Sequence, residues 1–230
     1  MKKVNKIRIA KFLADAGVAS RRKSEELINQ GKVTIDNKII IDLATKVDED
    51  ADNIAVNNKP IKPDKKIYYL LNKPVDYICS VKDPHNTKTV LQLVPETPRV
   101  VPVGRLDKNS QGLLLLTNDG DLTYKLTHPK FEVKKTYLVR TKQALDKSII
   151  RLLKQGVNLE EGKACADQVK IVSRNKLEII IHQGWKRQIR RMIQEVGYHV
   201  EELTRIQEGK LKLGDLKPGK YKILNKSDIV

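Results

Sequence analysis

"VPVGRLDKNSQGLLLLTNDGDL", residues 101–122, decides how this chain is read. An unbroken apolar run, Leu113 to Leu116, stands between a lone carboxylate upstream, Asp107, and Asn118-Asp119-Gly120 downstream. "RVVPVG" reads as a short extended run, so Arg105 to Asn109 is predicted to be a loop or a strand end. "GLLLLT" has the length and continuity of a short strand buried in a core, and "NDG" reads as the turn that closes it. Rigid neighbours would then hold Asp107 at the rim of a sheet. Spacing alone leaves two readings open, because a loop Asp is commonly a turn former or a cap as well as a candidate catalytic group.

The lone acid is notable because the rest of the chain is basic. Its 230 residues carry 45 Lys and Arg against 28 Asp and Glu, a formal net charge of +17. Such an excess predicts an anionic partner, with nucleic acid the first candidate. The two cysteines, Cys79 and Cys165, lie far apart without CxxC spacing, so neither a disulfide framework nor a zinc site is suggested. The histidines at 85, 128, 182 and 199 also lack metal-ligand spacing. No signal peptide and no long apolar segment is visible, which predicts a cytoplasmic protein without a membrane partner. Neither a GxxxxGK[ST] loop nor a GxGxxG offers a seat for a nucleotide cofactor, and none is expected.

Outward from the central stretch, the chain divides into two parts, predicted as 1–60 and 61–230. In the first, "IRIAKFLADAG" places Ile7, Ile9, Ala10, Leu13 and Ala14 on one helical stripe, with Gly17 closing it. Ser20 is positioned to cap a second helix, "RRKSEELINQ", ending at Gly31. "KVTIDNKII" reads as a hairpin turning at Asp36-Asn37, and "NIAVNNKPI" adds another strand and turn. Residues 58–66, "NKPIKPDKK", read as a linker. Beyond it, "KIYYLLN", "TYLVR", "QVKIVS", "KLEIIIHQG" and "KYKIL" read as strands, while Asp146–Gly156 and Lys186–Gly197 read as helices. Strands mixed irregularly with helices predict an α+β fold on a mainly antiparallel sheet.

Residues 1–32 contain nine Lys or Arg against three Asp or Glu. Arg21, Arg22 and Lys23 open the second helix, where positive charge opposes the helix dipole. A phosphate placed there would be favoured by the side chains and by the free backbone N–H groups together. Arg8 and Lys32 complete the RNA-binding candidates of this part.

The larger pattern resembles a known family. "GRLDKNSQGLLLLTNDGDL" resembles the active-site motif of bacterial ribosomal-RNA pseudouridine synthases. "YYLLNKP…VKDPHNTKTV" resembles that family's first catalytic-domain motif, "HPKFEVKKTYLV" the segment supplying an active-site tyrosine, and "QGWKRQIRRMIQEVGYHVEELTRIQEGKLKLGDLKPGKY" its C-terminal motif. The N-terminal part is similar to the S-four-type (alpha-L) RNA-binding domain that many members carry, so nearly the whole chain is covered.

The resemblance implies isomerisation of uridine to pseudouridine in ribosomal RNA, without metal or organic cofactor, by a monomer acting on rRNA or an assembling ribosomal subunit. It makes Asp107 the essential carboxylate, with a basic partner in the C-terminal motif. Alignment selects Arg190, with Arg187 and Arg191 as alternatives, and helical spacing would let all three share one face. Tyr137 becomes the ring packed on the target base and Leu203 an apolar wall. Arg105, Lys186, Arg187 and Arg191 are its further candidate RNA contacts.

This chain departs from the family pattern at Trp185, where Arg or Lys is common, at Gln183, where Glu is frequent, and at Ser110, where Thr occurs. The tryptophan either removes a phosphate contact or substitutes a stacking surface. Within the family, "AGVASRRKSEELINQGKVTID" resembles members acting on large-subunit rRNA, while small-subunit enzymes share the architecture. Two further readings are a non-catalytic RNA-binding or assembly protein with this fold, and an RNA methyltransferase joined to the same RNA-binding unit. The missing glycine-rich cofactor loop argues against the second.

Overall fold

The computed structural model describes residues 6–49, 51–81 and 88–230, and by its contacts the chain falls into two compact units. His85 and most of the "VKDPHNTKTV" segment lie outside the described residues.

The first unit comprises the described residues of Met1–Lys66 with Thr97–Val100 and Asn118–Gly120. Its elements are β1 (Lys6–Arg8), α1 (Ile9–Asp15), α2 (Arg21–Asn29), β2 (Val33–Ile35), β3 (Lys38–Ile40), β4 (Lys46–Asp48), β5 (Ile54–Val56) and β6 (Lys59–Pro60). Ser20 Oγ accepts the Lys23 N–H at 3.3 Å and caps α2. Gly17 and Gly31 follow the two helices with positive φ. Asp36-Asn37 and Asn57-Asn58 each place two consecutive residues at positive φ, the tight hairpin turn that Asn and Asp tolerate. The apolar faces of α1 and α2, with Ile9, Phe12, Leu13 and Ile28 buried, pack with Val33, Val47, Ile54 and Val56.

Two expectations for this unit need correction. Ile7 belongs to strand β1, not to the first helix, because residues 6–8 pair antiparallel with β4 before the helix starts at Ile9. The linker begins later than residue 58: Asn58 to Pro60 complete the β5–β6 hairpin, and the Ile61 N–H still donates to the Ile54 carbonyl at 2.8 Å.

The second unit contains β7 (Tyr68–Lys73), β8 (Val101–Pro102), β9 (Gln111–Thr117), α3 (Gly120–Thr127), β10 (Lys135–Thr141), α4 (Ser148–Gln155), β11 (Val157–Leu159), β12 (Gly162–Ala164), β13 (Gln168–Ser173), β14 (Lys176–Ile181), α5 (Gln188–Glu195), β15 (Val200–Glu208), β16 (Leu211–Lys212) and β17 (Tyr221–Ile223). Among the described residues its main sheet runs β13-β14-β10-β15-β9-β7-β17, with β8 and β16 attached. The β15–β9 pair is parallel and the other strand pairs of this sheet are antiparallel, the mainly antiparallel sheet expected of an α+β fold.

Leu113, Leu114, Leu115 and Leu116 are each fully buried, so β9 is covered on both faces. Each such leucine contributes about 1.5–3 kcal/mol through removal from water. Leu113 and Leu115 join Tyr68, Leu70 and Val103 in one cluster, with Leu122 and Leu126 of α3 packed on them. The "NDG" stretch closes β9 and leads directly into a helix. Gly120 opens α3, whose i, i+4 leucines cover the face that β9 would otherwise expose.

Candidate active site

Asp107 stands in the loop between β8 and β9, half-buried, at the mouth of a cavity of about 600 Å³. The residues lining that cavity come from separate stretches: Ile78 to Ser80, Arg105 to Lys108, Ser110, Tyr137, Ile181, Gly184 to Ile189, and Leu203. Tyr137 and Leu203 project from the adjacent strands β10 and β15 and are 8% and 5% exposed. A ring and an apolar side chain so placed form a surface on which a flat base can rest.

The loop is held through its backbone. Lys73, fully buried at the end of β7, directs its ammonium at the carbonyl oxygens of Pro74 (3.0 Å), Asp107 (3.1 Å), Lys108 (3.4 Å) and Ser110 (2.7 Å). From the opposite side Arg190 Nη2 donates to the Asn109 carbonyl at 2.7 Å. The Ser110 N–H closes back on the Asp107 carbonyl at 3.0 Å, and the Leu106 N–H donates to Cys79 Sγ at 3.3 Å. With the backbone committed to interior partners, the Asp107 carboxylate is left to face the cavity. Burial pulls the Lys73 ammonium down to a pKa of about 8, against the opposing pull of Cys79, Asp107 and Asp76. Burial likewise raises the Cys79 thiol, which disfavours its nucleophilic thiolate form.

Close strand approach also depends on Gly112. Its φ is +109°, and a Cβ there would stand 2.3 Å from the Arg205 carbonyl oxygen across the parallel β9–β15 pair. Glycine permits both the backbone angle and the contact. Arg205 itself is 2% exposed, with Nε donating to the Leu113 carbonyl at 2.8 Å and Nη2 lying 3.5 Å from the buried Glu208 carboxylate. Its guanidinium also lies against the Tyr137 hydroxyl. Burial raises the tyrosine pKa and the arginine works in the opposite direction.

The three arginines of the C-terminal motif do not share a face. Arg187 sits at the N-cap of α5 with φ +52°, outside the helical repeat, so the i, i+3, i+4 argument fails. Arg190 turns toward the Asp107 loop, hydrogen-bonding Asn109 and the Val200 carbonyl. Burial lowers its pKa and Arg187 adds to that effect, while the Asp107 charge counters it. Arg191 is engaged elsewhere: both terminal nitrogens meet the Glu161 carboxylate at 2.8 Å, so its fork is not free for a phosphate. Arg105, Lys186 and Arg187 line the cavity and are exposed, and Arg8, Arg21, Arg22, Lys23 and Lys32 are exposed on the first unit.

Sequence reasoning passed over Lys73, Arg205, Gln188 and Gly112. Lys73 carried one signal, a charged residue followed by proline at the end of an apolar strand. Gln188, 3% exposed, accepts the Trp185 N–H at 3.1 Å and donates to Gln183 Oε1 at 2.9 Å, fixing the loop before α5.

A carboxylate, an aromatic ring and an apolar side chain share one cavity with exposed cations, an arrangement that suits a flat anionic ligand. Comparison with known proteins defines that class further. Residues 67–195 match the RNA pseudouridylate synthase family model, and residues 7–53 match the S4 domain. An uncharacterized RNA pseudouridine synthase of Aquifex aeolicus is 42% identical over 97% of this chain and 92% of its own. The ribosomal large subunit pseudouridine synthase B of Bacillus subtilis is 39% identical over 96% of this chain and 93% of its own. A crystal structure of a pseudouridylate synthase superposes with a TM-score of 0.70 at 27% identity, covering 97% of this chain and 98% of the other. The chain belongs to the RNA pseudouridylate synthase family, isomerases that convert uridine in RNA to pseudouridine, and carries an S4 domain ahead of the catalytic part.

Among the described residues no group of three His, Cys, Asp or Glu is placed to hold a metal ion. No helix among them is long and apolar enough to cross a membrane.

Proposed function

We propose that this enzyme isomerises a specific uridine of ribosomal RNA, in the large subunit, with Asp107 as the essential carboxylate. The observation that carries the site assignment is the loop grip: Lys73 and Arg190 hold carbonyls at residues 107 to 110, while the Asp107 carboxylate faces a cavity floored by Tyr137 and Leu203. Similarity to the Bacillus subtilis large-subunit enzyme over nearly the full chain supports the choice of RNA.

In the reaction the uracil N1–C1′ bond breaks and a C5–C1′ bond forms. The C5 hydrogen leaves as a proton and N1 gains one, so the step is redox-neutral. Asp107 in its ionised form either attacks the nucleoside or takes a ribose proton. The target uridine leaves its stack at a cost of a few kcal/mol, which packing on Tyr137 and Leu203 offsets. The exposed Arg8, Arg21, Arg22, Lys23 and Lys32 of the first unit bind phosphates, and Arg105, Lys186 and Arg187 do so at the cavity.

The test uses rRNA transcripts tritiated at uridine C5, incubated with wild type and with Asp107→Asn. Pseudouridine formation releases that tritium, and mapping the product names the uridine. Release by wild type, reduced about 10⁴-fold in the variant, is the expected outcome. Equal release by both proteins would remove Asp107 from the chemistry. Binding without release, from rRNA and from ribosomal particles alike, would favour the non-catalytic RNA-binding reading.

A further inference from the structure

Trp185 is the single tryptophan of the chain, and nothing in the reaction described above uses it. It lines the same cavity as Asp107, half-buried, between the exposed Lys186 and the exposed Gly184. Two independent devices hold it. Its backbone N–H donates to the buried Gln188 side chain at 3.1 Å, which fixes the loop. Its ring edge reaches the β11–β12 hairpin, where a Cβ added to Gly162 would stand 3.7 Å from Trp185 Cη2. That hairpin is in turn tied to α5 by the paired hydrogen bonds from Arg191 to Glu161, the residue before Gly162. An aromatic ring supported by its loop and by a pinned hairpin, open to the cavity and flanked by Lys186 and Arg187, is suited to stack a base whose phosphates the cations meet.

We propose that Trp185 stacks on an unpaired base adjacent to the target uridine, and that Glu161 and Arg191 are positioning residues that hold the hairpin supporting the indole. This inference rests on the proposed rRNA isomerisation and adds a feature of its substrate, an unpaired neighbour beside the modified uridine. Asp107, Tyr137, Leu203 and Trp185 line one cavity, and the inference gives the target base to Tyr137 and Leu203 and its neighbour to the indole. Loss of the target from its own stack leaves a neighbouring base face uncovered, and the indole covers it.

Because no second tryptophan contributes, the fluorescence of full-length protein reports on this ring directly. The experiment titrates the enzyme with an unmodified rRNA fragment containing the target uridine, and with fragments bearing an abasic nucleotide at each flanking position in turn. Tritium release is measured in parallel. Expected is quenching by the intact fragment, lost at one flanking position. The same abasic substitution should raise KM about tenfold for wild type and have little further effect on Trp185→Ala, whose KM is already raised by a similar factor. Glu161→Gln should lower the fluorescence anisotropy of the indole, and Glu161→Asp should restore part of it. Tritium release with no quenching, or with quenching indifferent to every abasic substitution, overturns the inference while leaving the isomerase reading intact. Absence of release by wild type from any rRNA overturns that reading and the inference with it.

Discussion

The Lys73 ammonium lies 2.7 Å from the carbonyl oxygen of Ser110 and 3.1 Å from that of Asp107, so one buried cation spans the Asp107 loop from inside. Substitution Lys73→Met should remove the ammonium from those carbonyls, leaving the Asp107 carbonyl only the Ser110 N–H, costing about 1–3 kcal/mol, and let the loop move. The measurable result is a lower denaturation midpoint together with a lower kcat. Expected pH behaviour follows from the depressed pKa of about 8. Below pH 8 the amine is protonated in folded and unfolded chains alike. Between about 8 and the ordinary lysine value, the unfolded chain holds the additional proton, so this group's contribution to global stability rises with pH. The neutral amine has one donor fewer for the loop, so kcat should fall as pH rises through 8. Lys73→Met should lack that limb in a pH–kcat profile.

Arg190 secures the other side of the same loop through the Asn109 carbonyl. Arg190→Met should lower kcat by about 10²-fold by misplacing Asp107, as judged by single-turnover tritium release. Arg190→Lys should recover only part of the loss, since an ammonium lacks the fork that reaches Asn109 and Val200 together.

Arg205 and Glu208 form a buried pair beneath Tyr137. Arg205→Met removes the guanidinium 3.5 Å from the buried Glu208 carboxylate, leaving Lys135 across the β10–β15 pair as its nearby cation, and should cost about 3 kcal/mol in chemical denaturation. Arg205→Met combined with Glu208→Gln should be more stable than Arg205→Met alone. A double variant as unstable as the single one would show that Arg205 acts through packing and its bond to Leu113, not through charge.

Gly112→Ala is expected to damage the sheet where β9 meets β15. The new methyl would face a backbone oxygen at 2.3 Å with φ at +109°, so neither partner can yield cheaply. A loss of about 3 kcal/mol or more in denaturation experiments is expected.

Replacing Arg21, Arg22 and Lys23 by Gln should weaken RNA binding with little sequence preference. The slope of log affinity against log salt should become shallower by about two to three. An unchanged slope would remove these side chains from phosphate contact.

Much of this molecule was legible in short stretches. Ser20 before "RRKSEELINQ", the Asp36-Asn37 turn and the four-leucine run of β9 are local signals, and each appears where its pattern placed it. Local patterns failed where a neighbour intervened. Residues 6–8 became a strand because β4 pairs with them. "NDG" does close β9, and what local pattern left unread is the helix after it, where Leu122 and Leu126 cover a sheet face. The arginine cluster failed for a related reason: helical spacing assumes a helix, and Arg187 stands in the left-handed conformation at its start.

By itself the sequence determined part of the strands, turns and caps, the excess of positive charge, and the motif that marks Asp107, but not β15, the nine-residue strand that carries Leu203 and Arg205. Those depend on side-chain type and on neighbours within a few residues. Only the tertiary structure decided that Lys73 grips a loop 34 residues away, that Arg190 reaches Asn109 across 81, and that Arg191 closes on Glu161 instead of a phosphate. A cation's choice among acceptors depends on which carbonyls and carboxylates the fold brings within 3 Å of it and shields from water, and spacing along the chain does not contain that distance.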